Sequence, residues 1–269
     1  MATSQQFVEN PTIFWISHAL SAISLLGSIF NIFAVTKLKS YVNSLCRMVL
    51  ILSILDLLLI TSWIYMMNDR NALFMDNVWY FSWGSSIALT TCFANGLYIT
   101  IKRMNPELIE SSFNKYMIFS TIVGMTSCTI HILSRDPVQN RYNHGNCVMV
   151  LIVTASAIIY CIATYISVMK FLRIYERKTR IELTFYPLIL IVCNFSLMTL
   201  HINYLITKTS NHDYEALANT ISAFQGFLNA IVYGSPSKLF ALCCKRRKID
   251  PLMASETLED VTHSATQSM

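Results

Sequence analysis

Apolar residues in this chain come in long unbroken runs, and the polar residues gather between them. Seven such runs cover residues 12–36, 48–67, 78–101, 115–133, 148–171, 184–207 and 216–234. Each approaches the roughly twenty residues that a helix needs to cross the hydrocarbon layer. No water is present there to satisfy backbone groups, so only helices and closed barrels can span it. A barrel would show strands of about ten residues with alternating hydrophobicity, a pattern missing here. The runs therefore predict an all-α membrane protein built as a seven-transmembrane helix bundle. The third and seventh runs are the least apolar. Ser82, Ser85, Ser86, Thr90, Thr91 and Asn95 mark the third, and Ser222, Gln225 and Asn229 the seventh. Those two helices are expected to face the bundle interior. No internal repeat is visible, which argues against transporters made of repeated halves.

Composition agrees with this reading. Of 269 residues, 54% are hydrophobic and 13% charged, against about 25% charged in soluble domains. Charge sets the orientation through the excess of Lys and Arg in cytoplasmic loops. With the N-terminus outside, 16 of the 20 Lys and Arg fall on the inner side, and only Arg70, Arg135, Arg141 and Lys208 on the outer. The predicted organisation is a short extracellular segment over 1–11 and the bundle over 12–234. An amphipathic helix over 235–248 and a disordered cytoplasmic tail over 249–269 follow. The outer segment is too short for a folded ligand-binding domain, and it lacks the features of a signal peptide. A multi-pass protein, at the plasma membrane, is expected.

Basic residues are not interleaved with aromatics in a soluble segment, so no nucleic-acid partner is expected. Most of the eight cysteines sit inside apolar runs, without metal or disulfide-framework spacing. Cys147 is placed in an outer segment. It has no cysteine partner near residues 70–80, and Cys92 lies too deep, so Cys147 is either free or pairs between chains. His18, His131, His144, His201 and His212 scatter without metal spacing. Neither a metal nor a cofactor is expected, and no nucleophile–base pair suggests an enzyme.

Asp56 lies near the middle of the second run, in Leu52-Ser53-Ile54-Leu55-Asp56-Leu57-Leu58-Leu59-Ile60. A central Asp costs about 2.5–3.5 kcal/mol to insert and usually marks function. Asn31 and Asn229 lie at similar depth. Together they make either a polar or sodium-binding switch or a static polar network. Asn229 and Tyr233, four residues apart, share a helix face, and Gly226 and Gly234 permit close backbone approach. Tyr233 either swings into the bundle near the cytosolic side or belongs to the interfacial aromatic belt. Pro187 stands early in the sixth span, as a hinge or as a proline tolerated in the first helical turns. Cys243 and Cys244 adjoin the basic run Lys245-Arg246-Arg247-Lys248. This pairing suits S-palmitoylation and anionic membrane lipids, although a plain positive-inside stop signal reads the same. Glu107 and Glu110 are expected on a solvated face of the second inner loop.

The segments Gly226-Phe227-Leu228-Asn229-Ala230-Ile231-Val232-Tyr233-Gly234 and Tyr186-Pro187-Leu188-Ile189-Leu190-Ile191 resemble the seventh and sixth helices of cyclic-AMP-receptor-like G-protein-coupled receptors. These belong to the class E, secretin-like superfamily. Cys92, Ala94, Leu97 and Tyr98 loosely match the third helix of that family. The resemblance implies a receptor with an extracellular ligand of unknown identity and a heterotrimeric G protein as partner. Lys102 and Arg103, with Lys170, Arg173, Arg177, Lys178 and Arg180 of the third inner loop, would form the G-protein face. In the broader superfamily, residues like Asp56, Asn31, Asn229 and Tyr233 form a sodium or water network and an activation latch. Two features depart from its patterns: Lys102-Arg103 stand where Asp-Arg-Tyr would close the third helix, and Ala230 follows Asn229 in place of a proline. A seven-helix transporter and a non-signalling membrane scaffold are the alternatives. A retinal protein needs a lysine in the seventh span, and residues 216–234 hold none.

Overall fold

The computed structural model describes residues 10–37, 44–68, 73–103, 107–134, 144–172, 177–209 and 211–233. They form eight helices: α1 (Pro11–Lys37), α2 (Ser44–Asn68), α3 (Leu73–Arg103), α4 (Glu107–Ser134), α5 (His144–Leu172), α6 (Arg177–Thr207), α7 (His212–Ala223) and α8 (Gln225–Tyr233). Among the described residues there is no strand. Cys243, Cys244 and the predicted helix over 235–248 lie outside them, as does the tail.

Five helical stretches are long and apolar enough to cross a membrane: Pro11–Lys37, Ser44–Asn68, Ile109–Ser134, His144–Lys170 and Leu188–Thr207. The packing of α1 is inverted relative to a helix of a water-soluble bundle. The buried residues of α1 are Ser17, Ser21, Ser24, Gly27, Ser28, Asn31 and Val35. Its exposed ones include Trp15, Leu26, Phe30 and Phe33. Large apolar side chains also point outward from α4 (Ile118, Ile122, Met125), α5 (Ile152, Ile159, Ile166) and α6 (Phe195, Ile202, Ile206). Lipid is as apolar as leucine, so helices associate through small residues and interhelical hydrogen bonds instead of apolar burial. An apolar rind around a polar seam is the arrangement of a membrane protein.

The helix α3 packs against α2, α4 and α5, which is why so polar a sequence can be helical here. Ser82, Ser85, Ser86 and Thr90 are buried, as the pattern predicted, and Ser120 of α4 donates to the Ser85 carbonyl at 2.8 Å. An aromatic cluster fills the space beside them. Trp79 and Trp83 stack with centroids 6.1 Å apart, and Trp63 Nε1 donates to Thr220 Oγ1 of α7 at 2.9 Å.

α7 and α8 meet at Phe224, where the hydrogen-bond ladder slips. The Phe227 N–H donates to the Phe224 carbonyl at 3.1 Å, one residue short of its α-helical acceptor. The Ala223 carbonyl accepts instead from Ser24 Oγ of α1, at 2.6 Å. A side chain inserted into the ladder is a recognised cause of a helix break.

Three sequence expectations need correction. The basic stretch read as the third inner loop is largely helical, because α5 runs to Leu172 and α6 begins at Arg177. Pro187 therefore sits in the interior of α6 and not in its first turns, and the Leu183 carbonyl loses its helical donor there. Cys147 lies in the first turn of α5, buried and free, so pairing between chains is ruled out by burial. Glu110 is exposed, as expected, and in addition accepts from both Ser44 and Arg47 of α2. The Arg47 guanidinium also lies 4.3 Å from the Phe113 ring centroid, so apolar contact and charge hold the same side chain.

Candidate functional site: a buried polar seam

The seam is built around Asp56 of α2, which is 1% exposed. Asn229 Nδ2 of α8 donates to one carboxyl oxygen at 2.8 Å, and Ser86 Oγ of α3 donates to the other at 2.9 Å. Gln225 Nε2 donates to Ser86 Oγ at 3.3 Å, so Ser86 relays between an amide and the acid. A buried carboxyl group is tolerated in an apolar bundle only with such partners. Cys193 of α6, wholly buried, stands within electrostatic reach of the carboxyl group. Two helices, α3 and α8, thus converge on one side chain of α2.

α1 closes the seam from the opposite side. A Cβ on Gly226 would stand 2.9 Å from Ser24 Oγ and 3.3 Å from Asp56 Cβ, and would overlap Ser28 Oγ. A side chain there fits only if both serine hydroxyls turn away. Gly27 is its counterpart on α1, where a Cβ would fall 2.8 Å from Phe227 Cα.

The sequence grouped Asp56, Asn31, Asn229 and Tyr233. Asp56 and Asn229 are brought together. Asn31 is buried on the inward face of α1, but its Nδ2 has no hydrogen-bond partner among the described residues. Tyr233 is the last residue of α8, and its side chain lies outside the described residues. So do the side chains of Pro187, Lys102, Arg103, Arg177, Lys178 and Arg180, together with the whole of Arg173. Lys170 is exposed in the last turn of α5. Among the described residues, no group of three metal-ligating side chains occurs.

Asn194 is the member that sequence reasoning missed. It is 0% exposed, and its Oδ1 accepts from Trp83 Nε1 of α3 and Ser222 Oγ of α7, each at 3.4 Å. Its Nδ2 donates to the Leu190 carbonyl at 3.1 Å. The signal was an Asn deep inside an apolar run, the same signal that singled out Asn31. Interhelical polar bonds of this kind contribute about 0.6–1.7 kcal/mol in a membrane. Asn194→Leu is expected to lower stability by that amount, read from thermal unfolding in detergent. A double-mutant cycle with Trp83→Phe should show non-additivity, and strict additivity would mean the Trp83 contact contributes nothing.

No protein-family model matches this chain, and no curated protein matches it.

Proposed function

We propose that this chain is a seven-span receptor, similar to the cyclic-AMP-receptor-like family, that passes an outer stimulus to a heterotrimeric G protein. The observation that carries this reading is the convergence of α2, α3 and α8 on Asp56 through Asn229 and Ser86. A ligand shifts a bundle only by binding two of its states unequally, and a buried acid shared by three helices is an element whose partners can be exchanged. α3, at 31 residues, and the α7–α8 pair supply the two crossings beyond the five apolar helices in this reading. The excess of Lys and Arg on one side supports an N-terminus outside in this reading, and the protein would be a multi-pass protein of the plasma membrane. The basic ends of α3, α5 and α6, namely Lys102, Arg103, Lys170, Arg177, Lys178 and Arg180, would face the G protein, with Arg173 between them. The ligand is an extracellular molecule of unidentified class.

The same set of partners on Asp56 would also serve a static brace. A non-signalling scaffold is therefore the second reading. Nucleotide exchange on a panel of purified Gα proteins, with membranes containing or lacking the chain, separates the two. Exchange that rises with the chain, and falls when Lys170, Arg177, Lys178 and Arg180 are neutralised, supports the receptor. No exchange on any Gα moves the weight to the scaffold.

The cysteine pair after α8 belongs to the same reading as an acylated membrane contact. Cys243→Ser combined with Cys244→Ser is expected to abolish incorporation of a palmitate label. Label retained by the double variant would refute acylation at this pair.

A further inference from the structure

All four residues of the first turn of α5 are tied to neighbouring helices. His144 Nε2 accepts from Lys208 Nζ, just past the end of α6. At Gly145 the end of α4 comes so close that a Cβ would stand 3.2 Å from Ser134 Cβ and overlap its hydroxyl. Asn146, wholly buried, donates through Nδ2 to His131 Nδ1 of α4 at 3.0 Å. Cys147, also wholly buried, lies 3.4 Å from His201 Nδ1 of α6. The His131 ring is 2% exposed and stacks on Tyr80 of α3, with centroids 4.0 Å apart. Three imidazoles, from α4, α5 and α6, thus bear on a single helical turn.

An ammonium and an amide nitrogen can only donate. His131 Nδ1 and His144 Nε2 therefore act as acceptors, a role a ring nitrogen can hold only while unprotonated. Protonating His131 sets N–H against N–H inside a buried site. Protonating His144 sets a second positive charge beside Lys208. The thiol of Cys147 can donate or accept, so the His201 contact is compatible with either state of its ring. Among the described residues, titratable groups near these rings include Tyr80 on His131, with Cys147, Tyr204 and Lys208 on the α5–α6 side. Glu215 of α7 is engaged with a different ring, His212, at 3.5 Å.

We propose that the first turn of α5 is a clasp that outer protons release, so that the proton itself is a ligand of the bundle. Acid would free the outer end of α5 from α4 and α6, and leave the Asp56 seam to respond through α3, on which both α4 and α5 pack. The assignment of this end to the outer side, and of a G protein to the output, rests on the receptor reading. The chemistry of the clasp does not.

The test is hydrogen–deuterium exchange on the full chain reconstituted in lipid, at pH 7.5 and pH 5.0, with rates corrected for the intrinsic effect of pH. The amides to follow are those of residues 148–151, whose helical acceptors are the carbonyls of residues 144–147. A proton on either ring competes with the hydrogen bond that the ring nitrogen accepts in the closed turn, so protection should fall severalfold at pH 5.0. His131→Gln and His144→Gln, which keep an acceptor but cannot take up a proton, should each shrink the pH effect, and the double variant should lose it. Equal protection at both pH values in the unaltered chain overturns the clasp, as it would if Asn146 rotated its amide to meet a protonated ring. A pH effect that persists in full in the double variant overturns it too. Parallel Gα exchange assays separate the two ideas: loosening of α5 without any Gα response leaves the clasp and removes the receptor, and a Gα response without loosening does the reverse.

Discussion

Asp56→Asn is expected to leave the chain inserted and assembled while reducing Gα nucleotide exchange about tenfold. The carboxyl group accepts from Asn229 on one oxygen and from Ser86 on the other. An asparagine keeps one accepting oxygen and loses the charge, so the Ser86 hydroxyl must turn from donating to accepting. Hydrogen bonds to charged groups contribute about 1.5–3 kcal/mol, and each 1.4 kcal/mol corresponds to about a factor of ten. Insertion is spared because removing a central acid relieves the cost of placing it in the membrane. The pair can also be reversed: Asp56→Asn with Asn229→Asp restores a carboxylate facing an amide and should recover much of the exchange. Sodium titration in the same assay adds a second reading, since a cation held by this carboxyl group would lose its effect in the Asn variant. Exchange unchanged by Asp56→Asn, in an assay that responds to the native chain, would remove the switch and leave the brace.

The second large effect is one of assembly. Gly27→Ala places a methyl group 2.8 Å from the Phe227 Cα and 3.3 Å from the Ala230 side chain. The first of these neighbours is backbone and cannot turn away, so α1 must lift off α8. Overpacking of this kind costs about 1–3 kcal/mol, and a valine should cost more than an alanine. Gly226→Ala meets the hydroxyls of Ser24 and Ser28, which can rotate, and the Asp56 Cβ at 3.3 Å. It is expected to lower thermal stability less than Gly27→Ala while disturbing the Asp56 seam more. Thermal unfolding in detergent orders the two variants. A Gly27→Ala chain as stable as the native one would mean that α1 and α8 do not approach as closely as described.

How far this could be read from the chain differs between elements. The apolar runs located all the long helices, because insertion into lipid depends on local composition. Ser82, Ser85, Ser86 and Thr90 announced their burial, since an apolar solvent leaves polar side chains nowhere else to go. Asp56 and Asn229 were legible for the same reason. The ends of the helices were not. Leu172 and Arg177 lie where charge density rises, and charge marks the edge of a membrane rather than the end of a helix. Cys147 looked like a loop residue because His144, Gly145 and Asn146 before it are polar, yet each of them is used in packing α5 against its neighbours. Glu110 is solvated as its polar setting suggested, but its bonds to Ser44 and Arg47 were hidden because those residues are remote in sequence. Asn194 was visible as a buried amide, but its link to Trp83 and Ser222 depends on how α3, α6 and α7 face one another, which no single run contains. The break at Phe224 had no marker of its own, since its cause is the Ser24 hydroxyl of a different helix.

That break divides the stretch from His212 to Tyr233 into two rods of 12 and 9 residues. An uninterrupted helix would carry a push at its outer end straight to its inner end, as a piston does. A jointed one absorbs axial load at the joint and hands on mainly torsion and tilt. The pin of this joint is the Ser24 hydroxyl on the Ala223 carbonyl, so the first helix sets how stiffly the two rods turn together. On the second rod Gln225 and Asn229 reach Ser86 and Asp56, while the first rod answers to Trp63 and Asn194. In the receptor reading this stretch would work less as a shaft than as a wrist, with its tightness governed by a serine more than two hundred residues away from the Asn229 it helps to aim.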